Sequence, residues 1–263
     1  MSKKSTSEAP QITVVGAGFA GLSTACYLAK EGYRVRLLEK NEQMGGRARR
    51  FEAEGFTFDM GPSWYWMPEV FENFFQDFGH SAADFYELER LDPSYEIVFG
   101  PEDNVEIPAG RSALFELFER LEPGSSQNLE KFLKEAAYKY EVGMNEFVQK
   151  PGHSIMDFAD IRVFRSAFKL QMLTSMASYV RKLFKHPQLI QLLEFPVLFL
   201  GATPANTPAL YSLMNYADLE LGTWYPKGGM HNIIEGMVSV ARELGVELHT
   251  AAAVRKVHTA NGS

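Results

Sequence analysis

Three glycines near the start of the chain carry the clearest chemistry: Gly16-Ala-Gly18-Phe19-Ala20-Gly21, with an acid, Glu39, about twenty residues further on. The first glycine permits a tight turn, the second lets a pyrophosphate approach the backbone, and the third lets a helix pack close to a strand. The free N–H groups and positive dipole end of that helix then meet the anion. A carboxylate at position 39 can accept hydrogen bonds from ribose hydroxyls and repels a 2′-phosphate, which argues against NADP. Gly45-Gly46-Arg47 follows. Two glycines let the backbone pass a cofactor, and Arg47 can offer a planar fork of donors to a phosphate. Arg47 also reads as a surface arginine in a loop that contains Arg49 and Arg50.

Other reactive side chains form no such pattern. The six histidines (His80, His153, His186, His231, His249, His258) show no metal-ligand spacing, and Cys26 has no second cysteine to join it. No Gly-x-Ser-x-Gly elbow or Ser/His/Asp order points to a hydrolase. Asp157 stands among apolar residues, as a proton acceptor with a raised pKa or as a helix cap after Pro151-Gly152, with the cap slightly favoured.

The elements needed to position the glycine motif are present. Ile12-Thr-Val-Val15 reads as a buried strand, Leu22 to Ala29 recur at helical spacing before Gly32, and Arg34-Val-Arg-Leu-Leu38 reads as a second strand. Together they make a βαβ unit. Residues 95–107 read as a hairpin, and Ser112–Glu122 and Ser126–Gln149 as helices, the second capped by Ser126. Residues 155–216 read as mostly helical. Ile233–Leu244 reads as a helix, Val246–Thr250 as a strand and Ala253–Thr259 as another, followed by the turn pair Asn261-Gly262.

The 263 residues are 46% hydrophobic, enough for a sizeable core. The net charge of -7 is spread over interspersed acids and bases, so a nucleic-acid partner is not expected. A single cysteine allows no intrachain disulfide and fits a reducing, cytoplasmic setting. Residues 1–10 are small and polar, a disordered lead-in without a signal-peptide core. No run approaches the length of a membrane span. Met156 to Leu173 mixes large apolar residues with Arg162, Arg165 and Lys169. It reads either as an amphipathic helix on a core or as a surface that enters lipid headgroups.

At this point a family resemblance becomes visible. The glycine motif through Leu22, with Ala25, Leu28, Gly32, Leu38-Glu39-Lys40 and Gly45-Gly46-Arg47, resembles the extended FAD signature of flavin amine-oxidase-like enzymes. Asp59-Met60-Gly61-Pro62-Ser63 and Trp224-Tyr-Pro226-Lys-Gly228-Gly229-Met230 resemble segments of phytoene desaturases and related carotenoid oxidoreductases. The resemblance implies FAD, held at Gly16, Gly18, Phe19, Ala20, Gly21, Glu39, Lys40, Gly46, Arg47, Gly61, Pro62 and Ser63. It places Val254 at the adenine, just beyond a strand that returns to the FAD sheet.

The expected fold is α/β: a Rossmann-type FAD domain from residues 11–95 and 223–263, with an α+β, largely helical substrate and membrane-facing domain inserted at 96–222. Family members are much longer and supply a late glycine-rich segment against the flavin, so the C-terminal part of the fold is expected to be missing. The implied activity is an FAD-dependent desaturase that removes vicinal hydrogens from a long polyene at a membrane surface. The alternatives are a carotenoid isomerase, an amine oxidase, or a non-catalytic fragment or subunit that needs a partner chain.

Overall fold

The computed structural model describes residues 9–144 and 170–259. It divides into two compact units, residues 1–89 with 224–263, and residues 90–223. Residues 90–95 and Thr223 therefore belong to the second unit, not to the cofactor domain as expected. The backbone shows why: Leu91 N donates to Thr223 O, and Ser94 N donates to Ile107 O.

In the first unit, strands β1 (Gln11–Val15), β2 (Arg34–Leu38) and β7 (Glu247–His249) form a parallel sheet in the order β1-β2-β7. The helix Phe19–Lys30 (α1) crosses from β1 to β2, so the expected βαβ unit is present with its register Ile12↔Val35 and Val14↔Leu37. Leu22, Ala25 and Cys26 of α1 pack with Val35 and Leu37 of the sheet and with Ile233 and Met237. The last two belong to the helix His231–Glu243 (α8). Burial pushes the Cys26 thiol up to about 12, so it stays protonated and acts as a small apolar residue.

A separate hairpin, β3 (Arg50–Ala53) and β4 (Phe56–Asp59), follows the Gly45-Gly46-Arg47 loop. The aromatic stretch after it contains the helix Pro68–Asp77 (α2), which buries Phe74 and Phe75. The strand expected at Ala253–Thr259 is absent. The chain instead turns back at Ala251 and Ala252, whose N–H groups donate to Asn41 O and Glu39 O. Residues 253–259 then run exposed, with no strand beside them among the described residues.

The second unit opens with the expected hairpin, β5 (Tyr95–Gly100) and β6 (Asp103–Ile107). Helices Arg111–Leu121 (α3) and Ser126–Val142 (α4) follow, and Leu129, Phe132, Leu133 and Ala136 of α4 are buried as their spacing predicts. Ser126 is not the cap. Ser125 holds that position without a side-chain bond, and the Glu119 carboxylate accepts from Gly124 N and Ser126 N instead. Among the described residues the helices Met176–Leu183 (α5), Pro187–Glu194 (α6) and Leu213–Leu219 (α7) follow, with Phe118, Phe132, Val180, Phe184 and Leu193 at the core.

Lys139 is fully buried there. Its ammonium donates to Gln171 Oε1, Ala209 O and Ser212 Oγ and sits 4.4 Å from the centre of the Tyr179 ring. No helix among the described residues is long and apolar enough to cross a membrane, and no group of His, Cys, Asp or Glu among them can hold a metal ion. Asp157 and the stretch from Met156 to Lys169 lie outside the described residues.

Candidate functional site: a dinucleotide cradle

The ladder of β1 and β2 carries the chain into the glycine turn, where Gly16 N donates to Leu38 O. Gly16 has φ +96°, a conformation that L side chains rarely adopt. A Cβ on Gly21 would lie 1.8 Å from Gly16 O, so the third glycine is what allows α1 to start this close to the strand. Gly18 is the N-cap and has no side chain with which to bond the helix, so the N–H groups of Phe19, Ala20 and Gly21 have no partner within it. They form the positive end of a twelve-residue helix.

The second glycine pair closes on the first. Gly45 N donates to Ala17 O at 2.7 Å, and a Cβ on Gly46 would lie 3.2 Å from Gly18 Cα. The two bare backbones thus pack directly against one another, with no room between them for a side chain on Gly46. Arg49 Nε donates to Gly46 O and holds the loop, while the Arg47 side chain is exposed. Gly61 is then brought against Arg47: its Cβ would lie 2.0 Å from Arg47 O. Pro62 and Ser63 follow it, exposed.

Glu39 does more than its position at the end of β2 suggests. It is 4% exposed, its Oε2 accepts from Ala17 N at 2.8 Å, and its Oε1 accepts from Asn41 N and Asn41 Nδ2. Burial opposes its ionisation, but the donors from Ala17 and Asn41, with Arg49 nearby, outweigh it and hold the carboxyl below its ordinary value. The carboxylate therefore shapes the glycine turn while keeping lone-pair capacity for a further donor. Lys40 beside it is exposed. Val254 is also exposed, two residues past the Ala252 to Glu39 hydrogen bond.

Asp59 is the residue that sequence reasoning undervalued. It stood in the Asp59–Ser63 block but was given no role. Its carboxylate accepts from Tyr225 Oη and from Met230 N, and so ties the strand before Gly61 to the Trp224–Met230 block. Burial and this bond push the Tyr225 phenol up to about 12, so it remains a donor at neutral pH. His231 Nδ1 donates to Ala48 O and anchors the other side of the same loop.

The sequence profile of the family described as flavin containing amine oxidoreductase matches residues 19–263. The chain belongs to that family. Its cofactor is FAD, and the cradle fits a dinucleotide: glycines that leave the backbone bare at the start of α1, an uncapped helix start, and a buried carboxylate at the end of β2. Within the family, the chain is 45% identical over 247 residues to a carotenoid 3,4-desaturase of Haloarcula japonica, which covers 94% of this chain and 50% of that protein. It is 34% identical over 252 residues to a zeta-carotene-forming phytoene desaturase of Myxococcus xanthus, covering 96% of this chain and 49% of that protein. Among solved structures, an oxidoreductase from Methanosarcina mazei superimposes with a TM-score of 0.59 at 17% identity, over 96% of this chain and 54% of that one. That likeness concerns the fold. The chain spans about half the length of the curated relatives it matches.

Proposed function

We propose that residues 1–263 are the cofactor-cradling half of an FAD-dependent carotenoid desaturase. The observation that carries this reading is the convergence of both motif sets on one cradle. The flavin signature supplies Gly18, Gly46 and Glu39, and the desaturase-like segments supply Gly61 and the Asp59–Tyr225–Met230 clamp. The identity to two carotenoid-desaturase relatives supports it.

Bound FAD would accept a hydride from the polyene, while the vicinal hydrogen leaves as a proton. The chain's own residues bind and orient. Gly16–Gly21 and Gly46 receive the pyrophosphate, Glu39 receives the ribose, and the Gly61-Pro62-Ser63 turn lies next in line. A polyene offers few polar handles, so its binding must rest on burying apolar area, at roughly 25 cal/mol per Å². We place that role in the second unit, residues 90–223. The proton acceptor is open, with Asp157 kept as a candidate outside the described residues.

We also propose peripheral attachment to a membrane through the second unit, where Leu173 is 88% exposed and Leu198, Phe199 and Leu200 are exposed together. Cytoplasmic location is part of the same proposal. The deciding experiment expresses the full-length gene in phytoene-producing cells and extracts the pigments. More conjugated products support the desaturase. Turnover of amines with unchanged pigments selects the amine-oxidase alternative, and a changed double-bond geometry without added conjugation selects the isomerase.

A further inference from the structure

The hairpin β3–β4 turns its apolar face outward. Register pairs Arg50 with Asp59, Phe51 with Phe58, Glu52 with Thr57 and Ala53 with Phe56. Directly opposed residues share a face, so one face carries Phe51, Phe56 and Phe58 and the other carries Arg50, Glu52, Thr57 and Asp59. Met60, next in the alternation, falls on the aromatic side.

The polar face is held by the protein at its base, at Asp59 and Arg50, while Glu52 and Thr57 nearer the tip are exposed. Asp59 is bound to Tyr225 and Met230, and Arg50 reaches Glu235 of α8 at 3.5 Å. The aromatic face is left open: Phe51 is 53% exposed, Phe56 67%, Phe58 52% and Met60 52%. The rings already touch one another, with centroids 6.2 Å apart for Phe51 and Phe58 and 6.5 Å for Phe56 and Phe58. A soluble hairpin ordinarily shows the opposite polarity.

We propose that this face is the docking surface for the part of the polypeptide that the curated relatives carry beyond the matched half. The inference rests on the reading above that the functional protein is longer than residues 1–263. Three observations select this occupant. First, the relatives are about twice as long, so a comparable length of chain has to pack somewhere on these units. Second, the open area of the four side chains is about 400 Å², since an aromatic side chain offers roughly 150–250 Å². That is about half of the roughly 800 Å² per partner that a stable dimer needs. One intramolecular element requires much less, because its translational freedom is already lost. Third, the hairpin tip carries the exposed Glu54, which anionic lipid headgroups repel, while Glu52 on the other face is paired with Arg50 at 3.0 Å. The docking surface lies directly between two cradle segments, Gly46-Arg47 before β3 and Gly61 after β4. An element seated there would brace the cradle from outside.

The test uses the full-length protein with the photocrosslinker p-benzoylphenylalanine in place of Phe56, and separately in place of Met60, in liposomes of anionic lipid. Crosslinks are mapped by peptide mass spectrometry in variants whose far-UV spectrum matches the parent. The expected result is an intramolecular crosslink from both positions to peptides beyond residue 263, at monomer mass. A product at twice the mass, a lipid adduct, a crosslink to residues 90–223, or no crosslink in a folded variant each overturns the proposal. Flavin absorbance is read on the same samples. Flavin retained with one of the overturning outcomes leaves the FAD reading standing while this inference falls.

Discussion

At the scale of single residues, the three glycines of the motif do different work, and substitutions should separate them. Gly18 has open space at its Cβ position, with only Gly46 Cα at 3.9 Å. We predict that Gly18→Val in the full-length protein keeps the fold but fills the pyrophosphate path, and lowers bound flavin to about a tenth or less, a loss of some 1.4 kcal/mol or more. Flavin per protein by absorbance, with thermal unfolding as control, checks it. Gly46→Val should also lower bound flavin, but at a cost to the fold, because its Cβ would meet Gly18 Cα at 3.2 Å and its φ is +58°. Gly21→Ala is expected to fail differently, because its Cβ meets Gly16 O at 1.8 Å. There the fold itself should weaken by several kcal/mol, in the range of backbone effects at special positions. A Gly21→Ala protein as stable as the parent contradicts the close α1–β1 packing.

Glu39 belongs at this scale too. Its carboxylate accepts from Ala17 N and so holds the turn, and in the proposed function it receives the ribose as well. Glu39→Gln retains one acceptor oxygen but places an NH₂ group among donors. We expect it to cost about 1.5–3 kcal/mol of flavin affinity, the worth of hydrogen bonds to a charged group. Titration of the apoprotein with FAD measures this, and unchanged affinity removes Glu39 from the site.

At the scale of elements, Lys139 joins α4 to residues 171, 209 and 212, and every one of its three donors is used. Burial lowers its pKa from 10.5 to about 8, against the opposing pull of Glu135. Between these values the unfolded chain holds the proton and the folded chain has released it, so unfolding takes up a proton. The charged form is therefore a cost to the fold below about 8, and the cost is relieved as pH rises towards 10.5. Lys139→Met removes the buried charge and its titration together. Its stability relative to the parent should fall by about 2 kcal/mol between pH 7.5 and pH 10, from the free energy of a pKa shift of this size. Urea unfolding at the two pH values tests it, and a difference independent of pH shows that Lys139 does not titrate as described.

At the scale of the whole molecule, the cradle occupies one unit, and the chain spans about half the length of its curated relatives. In the proposed function the glycine turn and Glu39 address the pyrophosphate and ribose of the cofactor. Residues 1–263 alone are therefore expected to bind FAD much more weakly than the full-length protein and to desaturate no phytoene. Purifying both and comparing flavin content and product formation in liposomes decides this; equal flavin content and turnover place the whole site in this chain. Attachment to anionic liposomes should occur at low salt and weaken as salt screens it. Full-length protein that remains wholly soluble at low salt in a flotation experiment rules that attachment out.

By itself the sequence determined those features that depend on neighbours along the chain. β1, α1 and β2 were legible because β-branched runs and helical apolar spacing, with glycines at the joins, have local causes, although β1, read as buried, is at most half-buried and leaves Val15 exposed. So were the β5–β6 hairpin and the buried stripe of α4. What failed were readings whose outcome depends on distant partners. Ala253–Thr259 has strand-like composition, yet a strand needs a ladder, and the chain instead spends the N–H groups of Ala251 and Ala252 on Asn41 and Glu39. Ser126 looked like a cap, but the Glu119 carboxylate, seven residues upstream, does that work. Only the tertiary structure set Gly46 against Gly18, Gly61 against Arg47, and Asp59 against Tyr225, the last pair separated by 166 residues. Only it turned the aromatic side of β3–β4 outward, because the hydrogen bonds and ion pair of Asp59 and Arg50 to partners far along the chain decide which face of a two-sided hairpin is held.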